Sequence, residues 1–447
     1  MPKAQNNPMT SAFETTAPIT AALARFAAET AENQIPEAPM AVMQLSLLDW
    51  VACAVAGADE PVSNILRDMV MAEGGAPQAT VVGGGQVPAR AAALANGAIS
   101  HALDYDDTHF AHIGHPSVAV VSAALAVAEK QGASGRALQQ ACLIGVETAT
   151  RVGVWLGRDH YQGGFHQTGT AGAFGAALAA ARLMGFSAAQ CEMTLGLVAT
   201  RASGLKSQFG TMGKPYNAGI AASNGVEAAE LVARGFVANP GALELAQGFG
   251  PTHMGQGDLL ALAGLGQDWL FETVSHKFHA CCHGLHAALE ALQELMPLRP
   301  EEVSVIEVTT HPRWMSVCNQ PAPMTGLGAK FSYSTVLAMA LLGHDTARLD
   351  SYSDQICADP ALQALRAKVR VTADDSTSET GTRLRLQTRS GMFEATHDLI
   401  TPMELQDRKA KVLRKAKSLL GEERAQRVEA LVASYADAVE LGALLRG

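Results

Sequence analysis

The sequence predicts a mainly α fold: a large all-helical domain built from both chain ends, with a smaller α+β domain that carries an antiparallel sheet inserted between them. Three observations carry that expectation. From Pro18 to about Val237, apolar residues recur at helical spacing and the breaks fall at Gly, Pro, Asn and Ser. Near residue 268 the pattern changes to short alternating segments of the strand type. From Glu404 to Arg446 it is helical and charged again. The expected domains are 13–267 with 400–447, and 268–399. A chain of 447 residues is in any case too long for one ordinary core.

Residues 1 to about 12 read as disordered. Ala-rich helical segments follow at 18–33, 37–57, 60–73, 88–102, 116–132, 136–155, 169–184, 188–200 and 215–234. Their many Ala and Gly residues permit close approach of backbones. Gly83, Gly84 and Gly85 read as a turn. In the second domain Val303–Thr310, Lys368–Thr372 and Arg383–Thr388 alternate as strands, and Met392–His397 follows the turn at Arg389–Gly391. Helical patterns lie near 283–295, 329–342 and 360–366. No apolar run reaches the roughly 18 residues of a membrane span. The N-terminus has no targeting pattern, so a cytoplasmic chain without membrane association is expected.

The chain is 48% hydrophobic and 17% charged, with a formal charge of -10. Such an acidic chain gives no reason to expect nucleic acid as a partner, and an anionic substrate would need positive potential built locally. Seven cysteines without CxxC spacing read as reduced thiols.

Histidine is distributed unevenly. His101, His109, His112 and His115 fall in one stretch with Asp104, Asp106 and Asp107; His276, His279, His283 and His286 fall in another with Lys277, Cys281 and Cys282. Imidazole titrates near working pH and is a common metal ligand, so both proton transfer and metal binding are open. Asp106, Asp107 and Thr108 cap and turn better than they extend a helix. Gly114 and Pro116 make a loop of the stretch that follows, which weakens a metal reading of His109, His112 and His115. His279, His283 and His286 could share one helix face at i, i+4 and i+7, but no HExxH accompanies them and Lys277 would oppose a cation. A general-base or anion-binding role suits that mixture better.

Two further segments bear on anions. Gly164-Phe-His166-Gln-Thr168 precedes a helix, and glycine, threonine and free N–H groups there form an anion seat. Gly213-Lys214-Pro215 resembles the end of a phosphate loop but fails its pattern, because Gln208 stands where the first glycine belongs and Pro215 follows the lysine. Pro215 reads instead as the first residue of a helix, which sets Lys214 against the helix dipole as a base or an anion ligand. No GxGxxG follows a strand, so a dinucleotide has no support. Each of these segments also has an ordinary structural reading: a polar turn, a helix start, a buried histidine.

Taken in order, Asn96-Gly97 to His101-Ala-Leu-Asp104-Tyr-Asp106-Asp107-Thr108, then His115-Pro116-Ser117, Gly164-Phe-His166 to Gly172, Lys214-Pro215 to Asn224-Gly225, and Lys277 to Cys281-Cys282 and His286 resemble the MmgE/PrpD family. The likeness runs from about 18 to 440. The family includes 2-methylcitrate dehydratase, cis-aconitate decarboxylase and iminodisuccinate epimerase. The resemblance implies a homodimer, a site between the two domains, a small di- or tricarboxylate substrate, and no metal or organic cofactor. It implies a pocket of Asp104, Thr108, His115, His166, Lys214 and Lys277, with Cys281 and Cys282 as its floor. Decarboxylases of the family carry a histidine where this chain has Cys282, a tyrosine at the place of Thr335, and a histidine at the place of Asn217, so decarboxylation is not expected.

The shared elementary step is removal of a C–H proton beside a carboxylate while cations stabilise the enediolate-like charge. His166, Lys214, Asp104 and His115 are the expected catalytic residues; Thr108, Lys277, Cys281 and Cys282 are expected to bind substrate. Lys214, Lys277 and His115 are the natural anion clamps, His166 an acid or base, and Asp104 the group that orients a histidine. The expectation is an epimerase of a small amino-dicarboxylate such as iminodisuccinate, with a hydro-lyase of the 2-methylcitrate dehydratase type as the alternative. A metalloenzyme and a non-catalytic binder that keeps the fold are the readings from other classes.

Overall fold

The computed structural model describes residues 18–446, and the segment expected to be disordered lies outside them. The fold is mainly α, as the periodicity predicts. Two compact units are found: the residues up to His276 together with those from Leu420 onward, and Lys277–Leu419.

The first unit's main helices before residue 240 are α1 (Ile19–Glu29), α2 (Glu37–Ala56), α3 (Pro61–Glu73), α4 (Ala89–Ser100), α5 (Ser117–Gln131), α6 (Gly135–Gln162), α7 (Gln167–Leu183), α8 (Ala188–Ala199) and α9 (Gly213–Ala233), and the C-terminal helices Glu422–Ala433 and Ala438–Arg446 belong to the same unit. A two-residue ribbon, β1 (Ala79–Thr80) and β2 (Gln86–Val87), closes over the Gly83–Gly85 turn, so this unit is not wholly helical. Helix α7 is buried along nearly its whole length. It packs against α5, α6 and α9, and α9 in turn packs against α4. Small residues make this possible. A methyl group on Gly175 would come within 2.4 Å of the Gly145 carbonyl oxygen, and one on Gly97 within 2.8 Å of the Gly219 Cα. Larger side chains would push these helices apart and move the residues at their ends.

Helix α2 is long and apolar enough, by length and composition, to cross a membrane, which corrects the expectation that no segment is; 78% of its apolar window is buried. It carries Ser46 and Asp49 on buried turns, as a core helix does. Buried Arg151 of α6 pairs with Glu147 at 2.6 Å and donates to the carbonyls of Ala261, Ala263 and Asp268. Glu147 also accepts from the backbone N–H groups of Leu270 and Phe271. This pair anchors the irregular 258–273 segment without regular secondary-structure ladders.

The second unit holds a four-stranded sheet of β3 (Val303–Thr310), β4 (Val369–Ala373), β5 (Gly381–Thr388) and β6 (Gly391–Asp398), in the order β4-β3-β5-β6. The pairs β3–β5 and β5–β6 are antiparallel, but β3–β4 is parallel, so the sheet is mixed where an antiparallel one was expected. Alternation reports which face a residue takes and carries no strand direction. A parallel neighbour requires a crossover, and the helices Tyr333–Leu341 and Pro360–Arg366 lie in the connection between β3 and β4. The helix His286–Leu295 packs on β5 and β6.

Candidate active site

The first histidine-rich stretch lies where α4 ends. Ser100 closes the helix, His101 caps it, and Asp104 takes a left-handed conformation with φ 51°. That turn reverses the chain, so that the carboxylates of Asp104 and Asp106 reach the same group of partners. Residues 109–115 then form a loop, as Gly114 and Pro116 suggested, with the amide of His109 bonded to the Gly114 carbonyl at 2.8 Å. The loop seats against the start of α7, where Thr168 Oγ1 accepts from the His115 amide at 3.0 Å.

A continuous chain of charged groups results. Lys214 Nζ lies 2.5 Å from Asp104 Oδ1, which lies 3.2 Å from His115 Nε2. His115 Nδ1 lies 3.1 Å from Asp106 Oδ2, near enough for an ion pair although off the line of a hydrogen bond. Asp106 Oδ1 then meets His101 Nδ1 at 2.8 Å. All of these side chains are buried or nearly so except Asp104, whose side chain is 50% exposed.

Burial works against charge on every one of these groups, and the neighbours decide which keep it. For His115, burial lowers the pKa, but Asp106 and Asp104 outweigh it and hold the ring above its ordinary value. Burial pushes Asp106 up, and His101 with His115 more than reverses this, leaving it well below the carboxylate range. His101 has one carboxylate partner; burial, with help from His115 and Lys214, pulls it down to about 4 despite Asp106. Burial and neighbours thus divide the set: His115 and Asp106 are biased toward their charged forms and His101 toward its neutral one.

His166 caps α7. Its backbone N–H donates to the Gly204 carbonyl at 2.9 Å, and the Lys206 amide returns a bond to Gly164 at 2.8 Å, so the chain on either side of the ring is clamped. The ring stands edge-on to Phe209 at 4.9 Å and stacks at 6.2 Å from His101. Its Nδ1 faces Asn217 Nδ2 at 3.1 Å. Burial, then Lys214, His101 and His115, lower its pKa well below the ordinary value, so the ring is neutral.

Helix α9 begins at Gly213, two residues before the expected start at Pro215. Pro215 stands in the first turn, where its missing N–H costs nothing. Lys214 is thus near the helix start, as expected, and its charge is met by Asp104.

The structure brings together Asp104, His115, His166 and Lys214 from the expected catalytic set. Thr108 forms a two-way backbone bridge with Ser275, its amide donating at 2.9 Å and its carbonyl accepting at 2.7 Å. Lys277, Cys281 and Cys282 belong to the second unit. There Lys277 and Cys281 are buried, and burial pushes the Cys281 thiol up to about 12. The Cys282 amide donates to the Lys330 carbonyl at 2.9 Å.

Two members of the charged chain, His101 and Asp106, were not among the expected site residues. They lay in the right stretch, but a helix end rich in Asp reads as a turn that satisfies itself, and only the reversal at Asp104 shows whom they meet. His109 and His112 do not join the site. His109 bonds the Leu270 carbonyl at 2.9 Å, and His112 is buried beside Gly153.

The three histidines of the second stretch do not share a helix face. The helix begins only at His286, after a single turn of 3-10 helix over His283–Leu285. His279 uses both ring nitrogens, to Thr346 Oγ1 at 2.6 Å and Glu290 Oε1 at 3.2 Å. His286 Nε2 meets the Cys281 carbonyl at 3.4 Å. The group with metal-like proximity is instead His101, Asp104, Asp106 and His115, which bring one ligand atom each within 4.8 Å of one another. A divalent cation there would have to displace Lys214 from Asp104 and the shared proton from His115.

Comparison with known proteins finds similarity along most of the chain. The MmgE/PrpD N-terminal domain matches residues 21–260 and the MmgE/PrpD C-terminal domain residues 279–437. Cis-aconitate decarboxylase of Aspergillus terreus (strain NIH 2624 / FGSC A1156) is 27% identical over 96% of this chain and 95% of its own length. The cis-aconitate decarboxylase-like protein oryM of Aspergillus oryzae is 26% identical over 96% and 97%. Human cis-aconitate decarboxylase is 26% identical over 64% of this chain and 62% of its own length.

Proposed function

The chain belongs to the MmgE/PrpD family, and on that premise we propose that it is a lyase of a small di- or tricarboxylate, of the hydro-lyase type, working by proton transfer at a carbon beside a carboxylate. The observation that carries the proposal is the chain Lys214–Asp104–His115–Asp106–His101 beside the neutral ring of His166. The relatives favour a lyase over the epimerase expected from the sequence, since those named are decarboxylases.

In such a reaction a C–H bond and a C–O bond break, a C=C bond forms, and the hydroxyl leaves with a proton as water. The Lys214–Asp104 couple, 2.5 Å apart with its carboxylate half-exposed, takes the proton from carbon on one member and supplies the leaving proton from the other. His115, held between two carboxylates that favour its charged form, offsets the developing enediolate. Each of its ring nitrogens faces a carboxylate within 3.2 Å, which suits an electrostatic role better than that of a base. The choice of dehydration over decarboxylation rests on Cys282, Thr335 and Asn217, which stand where decarboxylases of the family are expected to carry other side chains.

The test is proton NMR in D2O with three separate substrates: 2-methylcitrate, cis-aconitate and iminodisuccinate. Collapse of the 2-methylcitrate methyl doublet into the singlet of a methyl group on a C=C carbon is the expected result. Release of CO2 from cis-aconitate alone would make the chain a decarboxylase. Loss of the α-proton of iminodisuccinate with appearance of its other isomer, and no alkene from any substrate, would overturn the lyase reading in favour of an epimerase.

A further inference from the structure

We propose that Asn217 is a positioning residue that holds His166 with its proton on Nε2, so that His166 presents a hydrogen-bond donor to a substrate oxygen and is not the base that attacks carbon. The donor's target rests on the lyase reading above; the tautomer does not.

The argument is one of donor and acceptor inventory. Asn217 Nδ2 lies 3.1 Å from His166 Nδ1 and 3.3 Å from the Leu205 carbonyl oxygen. A carbonyl oxygen only accepts, so the edge that Asn217 turns toward Leu205 is its NH2 group. The reversed amide would set two oxygens against each other. An NH2 group only donates, so His166 Nδ1 must accept, and a neutral imidazole that accepts at one nitrogen carries its proton on the other. Among the described residues Nε2 makes no hydrogen bond, so that N–H is left for a ligand.

The surroundings keep this assignment from relaxing. His166 is 2% and Asn217 5% exposed. The His166 backbone is tied to Gly204, and the Lys206 amide ties residue 164 to the same strand-like segment that offers the Leu205 carbonyl. A methyl group on Gly169 would come within 2.5 Å of the Ser203 carbonyl oxygen, so the start of α7 lies directly against that segment. Ring, amide and carbonyl are therefore held in one register. A buried neutral imidazole between cationic neighbours serves as a polarising donor, which is the role that a base with a free Nε2 lone pair could not fill.

The experiment uses the full chain labelled with 15N-histidine and reads two-bond proton–nitrogen correlations, with His166→Gln to assign the resonance. The wild type should show His166 with an acceptor-type Nδ1 and a protonated Nε2. Asn217→Asp offers only acceptors to Nδ1 and should move the proton there, or protonate both nitrogens. Asn217→Gln, which keeps the NH2 donor, should retain the wild-type pattern. A wild-type ring protonated on Nδ1, or an Asn217→Asp ring that keeps its wild-type pattern, overturns the proposal. Thermal unfolding of each variant separates misfolding from retautomerisation.

With a substrate in hand, Asn217→Asp should lower kcat about 10²-fold with KM little changed and shift the pH profile, while Asn217→Gln recovers most of kcat. Equal losses in both variants, with no change of pH profile, would reduce Asn217 to a packing role. If no substrate turns over, the lyase reading fails, and the nitrogen spectra still decide the tautomer.

Discussion

The two histidine-rich stretches make a natural comparison, because the sequence treats them alike and the structure does not. Both are buried, and both join imidazoles to carboxylates and a lysine. Around His279 every group ends on a partner that closes the network: Thr346 on one nitrogen, Glu290 on the other, and Lys411 on Glu290. Around His115 the network runs through Asp104, whose side chain is half-exposed, to Lys214, and beside it stands His166 with an N–H that no described residue takes up. What separates a chemical site from a structural one is therefore the open end of the network, since a satisfied network has no capacity left for a ligand.

The largest difference should appear on cutting each network at its lysine or carboxylate. Lys214→Met should lower kcat by on the order of 10³-fold, measured in the dehydration assay, with the urea midpoint little changed. Glu290→Ala should leave kcat per folded molecule unchanged and cost about 3 kcal/mol in urea unfolding, because Lys411 and His279 lose their buried partner. The contribution of Glu290 also has a pH signature. Burial raises its pKa, but His279 and Lys411 outweigh burial and hold the carboxyl down to about 2, against an ordinary 4.5. Its stabilisation is complete above the ordinary value and is lost as pH falls toward 2. Loss of activity in Glu290→Ala without loss of stability would erase the distinction between the two regions.

A smaller effect sharpens the edge of the first region. Asp107 stands next to Asp106 but faces the other way, accepting from Ser117 Oγ at 2.6 Å. Burial and the nearby Asp49 push it up to about 7 from an ordinary 3.8. Between those two values the folded chain binds more protons than the unfolded one, so Asp107 makes stability fall as pH rises through that window. Asp107→Asn should raise the melting temperature at pH 8 relative to wild type and change it little near pH 4. An identical shift at both pH values would show that Asp107 is not protonated in the fold.

Much of the scaffold was legible from the chain. Helical spacing placed α1 to α9 and the strands β3 to β6 within a few residues, except that α6 runs seven residues past its expected end to Gln162, because apolar periodicity reports the face that must be buried. The direction of β4 was not legible, since a parallel strand and an antiparallel one have the same alternation. Within the site, His115, His166, Lys214 and Asp104 stood out by residue type and by their places next to helix ends. His101 and Asp106 did not, because their role depends on the turn at Asp104, and a positive φ at a non-glycine residue has no sequence signal beyond a tolerance for Asp. The helix face read into His279, His283 and His286 failed because the helix starts only at His286, and nothing in the spacing marks that start.

Sequence alone thus determined which segments are helices and strands, the family, and which titratable residues are dense enough to carry proton chemistry. The elements follow from periodicity and the residue density from composition, both local along the chain, while the family follows from its ordered motifs. Tertiary structure decided the direction in which burial and neighbours shift the site imidazoles, and the contact with Asn217 from which the tautomer of His166 is inferred. Those depend on what lies within about 3 Å of each nitrogen in a buried, low-dielectric setting, and the partners there come from segments as far apart in sequence as residues 104, 166 and 214.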